Sequence, residues 1–92
     1  MKLTASQYAL LEHLCAVAVQ QKAEARLTKK RFRQGWTYIR FSDRIKPGTI
    51  KRLIELGLAD ACCDAHPGTD AVRITHKGIE YLEQVRKETI YA

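Results

Sequence analysis

No stretch of the 92-residue chain holds the roughly 20 consecutive apolar residues that a membrane-spanning helix needs. The start lacks a basic segment followed by an apolar core and a small-residue cleavage site, so no secretory leader is expected. Cysteines number only three, an odd count, and Cys62 and Cys63 are adjacent. That is a poor disulfide framework, and a reducing, cytoplasmic compartment suits it best. With two prolines and five glycines, the chain shows no linker, repeat or low-complexity tract. The length leaves room for one domain, residues 1–92, with a single modest core.

What the chain does have is charge, unevenly placed. The net charge is +6. Residues 22–52 hold eleven bases against Glu24 and Asp43, a local balance of +9. Residues 1–21 are neutral, and residues 53–92 carry four bases against seven acids. The middle third therefore holds more than the whole positive excess. Such an asymmetry is what a surface facing a polyanion requires, although a merely solvated charged face produces it too.

Local patterns place the elements. Thr4-Ala5-Ser6-Gln7 matches a capping box, with Leu3 and Tyr8 at the positions of a hydrophobic staple. Tyr8, Leu11, Leu14, Cys15 and Ala18 then recur at helical spacing, with Leu10 and Val17 widening the stripe, which predicts a helix to about Ala25. Residues 28–35 read as a basic connector. Residues 36–45 fit a helix by the spacing of Tyr38, Phe41 and Ile45, and a strand by their aromatic and β-branched content. Pro47 suits the first position of a short helix with Ile50, Leu53 and Ile54 on its buried side and Gly57 as its stop. That leaves Gly48, Thr49, Lys51, Arg52 and Glu55 outward. Residues 59–74 read as a hairpin turning at 64–70, and Thr75 caps a final helix.

Three stretches in this order resemble the winged-helix DNA-binding proteins, most nearly the MarR-like group. Leu3-Thr4-Ala5-Ser6-Gln7-Tyr8-Ala9-Leu10-Leu11 is similar to the first winged-domain helix. Ile45-Lys46-Pro47-Gly48-Thr49-Ile50-Lys51-Arg52-Leu53 is similar to the turn and recognition helix. Val72-Arg73-Ile74-Thr75-His76-Lys77-Gly78-Ile79 is similar to the second wing strand and the following helix start. The resemblance implies an α+β fold: a helix-turn-helix core, a β-hairpin wing and a C-terminal helix. It also implies that Thr49, Lys51 and Arg52 meet the major groove or its flanking phosphates, and that a further helix precedes Ile45.

The expected function is therefore sequence-specific binding of double-stranded DNA by a small transcriptional regulator of bacterial or phage type. Its recognition helix would span residues 47–56, and the protein would be nucleoid-associated when bound. The residues expected at the DNA are Lys29, Lys30, Arg31, Arg33, Arg44, Lys46, Thr49, Lys51 and Arg52, since Arg and Lys suit phosphates and guanine edges. Asp64 and Asp70 make the wing tip acidic, and a phosphate backbone repels it. The competing expectation is a protein-interaction module without DNA binding, which an acidic wing and an apolar last helix would serve.

Other constellations are weaker. Cys62, Cys63, Asp64 and His66, with Cys15 and His76 elsewhere, invite a zinc reading. Adjacent strand residues point to opposite faces, however, and no C-x₂-C pair exists, so no metal or other cofactor is expected. Cysteine–histidine proximity alone does not make a nucleophile, and no enzyme is expected. Trp36 reads as a core anchor before a base-stacking residue, and Phe32 interrupts the basic run either as an aromatic grip or as a core contact. His13 and His76 read as surface residues. A homodimer is expected to form through terminal helices, with Tyr81, Leu82, Val85 and Ile90, or Leu10, Val17 and Val19, as the apolar surplus.

Overall fold

The computed structural model describes residues 2–29, 35–40, 45–62 and 69–91, with backbone alone at 69, 70 and 89–91. Helix α1 (Ala5–Thr28) starts at the predicted capping box: the Gln7 amide donates to Thr4 Oγ1, and the Thr4 amide donates to Gln7 Oε1. It continues a turn past Ala25 and stops at Lys29, which adopts the left-handed conformation common just past a helix end. Leu10, Leu11 and Leu14 are buried. Leu10 therefore lines the core, as the widened stripe predicts, and is not surplus left over for pairing.

The ambiguity at 36–45 resolves toward a strand, β1 (Thr37–Arg40), over its describable part. The reason is non-local. β1 pairs antiparallel with β3 (Thr69–Ile74), which also pairs with β2 (Ala59–Cys62), giving a sheet in the order β1-β3-β2. Alternation then puts Ile39, Val72, Ile74 and Ala59 in the core and leaves Tyr38 and Arg40 outside. Only residues 41–46 separate β1 from helix α2 (Pro47–Glu55), and no helix appears there among the described residues. Residues 41–44 lie outside the description.

Helix α2 packs on α1 and β2 through Ile50 and Leu53. Ile54, predicted on the buried side, is 39% exposed, so Ile50 and Leu53 alone carry the burial of this short helix. α2 ends in a Schellman motif: Leu58 N–H donates to Leu53 O, and Gly57 N–H donates to Ile54 O, each at 2.9 Å. Gly57 takes φ +76, the conformation that makes glycine the natural residue here.

The same turn receives helix α3 (His76–Tyr91). Thr75 Oγ1 donates to Gly57 O at 2.6 Å and accepts from Gly78 N–H at 3.1 Å, while Thr75 N–H donates to Leu58 O. A Cβ on Gly78 would collide with Leu58 O and lie 2.8 Å from Ile74 Cγ1. Leu-Gly-Leu at 56–58 and Thr-x-x-Gly at 75–78 are thus two halves of one junction. It locks α2, the hairpin and α3 together. The described residues form a small α+β arrangement of three helices and a three-stranded antiparallel sheet, and none of these helices is long and apolar enough to cross a membrane.

Candidate nucleic-acid interface

Once Ile50 and Leu53 are buried, helical geometry decides what α2 shows to solvent. Gly48, Lys51, Arg52 and Glu55 follow the i, i+3, i+4, i+7 spacing of a single face, and all four are exposed. Thr49 is half-buried beside them. Lys46 holds the N-cap position in extended conformation with no side-chain cap, and its carbonyl accepts from Thr49 N–H at 3.0 Å. A cation there opposes the helix dipole in the free protein. Beside a bound anion the same ammonium becomes favourable. No acidic residue occupies the first turn of α2.

Two details describe how open this face is. Gly48 has nothing within 4 Å of an added Cβ, so packing inside the chain does not demand glycine there. Its lack of a side chain leaves the α2 backbone open from outside. Arg52 Nη1 lies 3.5 Å from Glu55 Oε2, with both side chains about half exposed. An exposed pair at that separation holds Arg52 only weakly, and a phosphate can displace the carboxylate.

Of the nine residues predicted to meet DNA, the structure brings Lys46, Thr49, Lys51 and Arg52 together on α2. Lys29 is exposed at the far end of α1, a separate place on the surface. Lys30, Arg31, Arg33 and Arg44 lie outside the described residues, as do Phe32, Cys63, Asp64 and His66 and the side chains of Asp70 and Ile90. Among the described residues no cluster of three or more His, Cys, Asp or Glu could hold a metal.

The outer face of the sheet holds contacts that sequence reasoning missed. Trp36 is half-buried, and the Arg73 guanidinium lies 4.8 Å from its ring centroid. Arg73 Nη2 also donates to Asp60 Oδ2 at 3.2 Å, so one arginine ties the segment entering β1 to both other strands. Beneath, the Gln21 side chain behaves like a strand neighbour. Its Oε1 accepts from Gly35 N–H at 3.1 Å and its Nε2 donates to Trp36 O at 2.8 Å. Gly35 takes φ +84, and an added Cβ would sit 3.3 Å from Ala18 Cβ. A glutamine on the inner side of a helix and a glycine just before a strand were the only signals, and neither points to the other in sequence.

An open groove of about 820 Å³ runs between the start of α1 and α3, walled by Leu3, Ala5, Tyr8, Tyr81 and Val85. In it, the hydrogen bond to Glu12 raises the Tyr8 phenol above its ordinary value, with desolvation adding to the effect.

No protein family, curated protein or solved structure matches this chain.

Proposed function

We propose that this chain is a small winged-helix module that binds double-stranded DNA, with α2 as the helix that enters the major groove. The observation that carries the reading is the outward face of α2. Lys46, Lys51 and Arg52 supply cations, Thr49 supplies a hydroxyl, and Gly48 leaves the backbone open to close approach. The face belongs to the segment 22–52 with its +9 balance. Behind it, the junction of Gly57, Leu58, Thr75 and Gly78 holds α2 rigidly, as a helix that must present side chains in register requires. The β2–β3 hairpin takes the place of the wing in this reading, and the helix order and sheet order suit such a topology.

Mechanistically, the cations displace condensed counterions from the phosphate backbone, which supplies most of the affinity. Arg52, Lys51 and Thr49 add preference where they reach base edges, Arg best at guanine and Thr at a thymine methyl or a polar edge. Measuring binding to random duplex against salt tests this. Log affinity should fall against log salt with a slope of about −0.9 for each phosphate contacted. Absence of binding at about 50 mM salt, where nonspecific contacts are strong, would refute the DNA reading. Ile54, exposed at 39% on the same short helix, favours the protein-interaction alternative in that event.

A further inference from the structure

The outer face of the sheet collects two aromatic rings and two arginines that the core does not use. Side chains alternate along residues 36–40, so Ile39 turns inward while Trp36, Tyr38 and Arg40 share the outer side. The register sets them in rows across the strands. Tyr38 stands opposite Ala71, and Ala71 stands opposite Cys62. In the next row Arg73 faces Asp60 and holds the Trp36 ring. Neither Trp36 nor Tyr38 belongs to the buried cluster or to the side chains packed against it. Tyr38 is 72% exposed, and the small side chains beside it leave a shallow shelf on which a flat group can lie.

A single exposed tyrosine is ordinary on a protein surface. Here a second ring joins it, with a guanidinium already stacked on that ring. Arg40 joins it too, exposed and paired with no carboxylate among the described residues. Asp60 balances Arg73, so Arg40 leaves the face net positive. Rings interleaved with cations on an open sheet fit the chemistry of an unpaired nucleotide. Its base lies on a ring or a guanidinium plane, and its phosphate meets an arginine. A duplex fits poorly, because its bases cover one another's faces. The positive balance favours a polyanion over an apolar peptide.

We infer that the outer face of the sheet is a platform for single-stranded nucleic acid, with one base stacked on Tyr38, a neighbouring base against the Trp36–Arg73 pair and Arg40 on the backbone. α2 joins the core from the opposite side of the sheet through Ile50 and Leu53, so the inference does not rest on duplex binding by α2. Trp36 is the only tryptophan, and its emission reports on this face alone. Oligo(dT) and oligo(U) of about 12 nucleotides should each be titrated at about 50 mM salt, with anisotropy of a labelled strand giving affinity. Binding should quench Trp36, and the tighter strand identifies DNA or RNA as the ligand. A duplex of the same length should leave Trp36 emission unchanged, whatever its affinity for α2. Tyr38→Val keeps the strand preference and removes the ring, so it should weaken single-strand binding about 5-fold or more. Tyr38→Phe keeps the ring and should stay within about threefold of the parent. Arg40→Ala should flatten the log–log salt slope by about 0.7, the value for one single-strand phosphate. Both positions are exposed and outside the core, so unchanged circular dichroism and Tm separate loss of stacking from loss of fold. No quenching by either strand, equal quenching by duplex and single strand, or equal affinity of Tyr38→Val and the parent would each overturn the assignment. Loss of duplex binding with the single-strand results intact would overturn only the reading of α2.

Discussion

At the scale of single residues, the same substitution should have opposite signs at two glycines. Gly78→Ala drives a methyl into Leu58 O and Ile74, and the junction must open to accept it. Overpacking of this kind costs about 1–3 kcal/mol, read as a lowered urea midpoint. Gly48→Ala meets nothing and adds helix propensity, so it should raise stability by up to about 1 kcal/mol. A bulky residue at Gly48 should keep that stability while weakening duplex binding, because it blocks the approach to α2. Equal binding by Gly48→Leu and the parent would show that nothing docks there. Lys51→Ala and Arg52→Ala should each cost about 1–3 kcal/mol in duplex affinity where they meet a base edge or an ordered phosphate, and each should flatten the salt slope by about 1. Neither touches the core, so Tm should stay within a few degrees. Lys46→Ser is expected to move the two properties in opposite directions: the helix gains a cap, and the anion site loses a cation.

At the scale of elements, β1 depends on contacts from outside itself. A four-residue strand at a sheet edge has little cohesion of its own, and Gln21 of α1 supplies two hydrogen bonds just ahead of it. Gln21→Glu removes the donor to Trp36 O and sets a carboxylate against that carbonyl. The partly buried group left unmatched should cost about 1–3 kcal/mol. Amide exchange distinguishes local from global effects. The β1 amides should lose protection first, while those of α2, held by Ile50, Leu53 and the Schellman turn, keep theirs. Uniform loss across the chain would mean that β1 is integral to the one cooperative unit. Gly57→Ala probes the other end of α2: φ +76 becomes strained by about 1–2 kcal/mol, and both α2 and α3 should loosen together because they share that turn.

At the scale of the whole molecule, the middle third carries the positive excess, which on the proposed reading meets a polyanion. Raising salt from about 50 to about 200 mM should therefore weaken duplex binding far more than it shifts Tm. Much of this arrangement follows from the sequence alone. The capping box at Thr4 and Gln7, the Pro47 start and Gly57 stop of α2, the cap at Thr75 and the charge asymmetry are local or compositional facts, and each element they predict is present. They are legible because capping, helical spacing and positive φ depend on residues within a turn or two of one another. The outward placement of Lys51 and Arg52 was legible for the same reason, since a short helix with two buried residues has only one way to face. Residues 37–40 were not, because a four-residue run fits helix and strand equally until β3 stands alongside to take its hydrogen bonds. The exposure of Ile54, the grip of Gln21 on Gly35 and Trp36, and the joining of Gly57 to Thr75 belong to the same class. Each pairs residues that are distant in sequence, and only packing decides which distant groups meet.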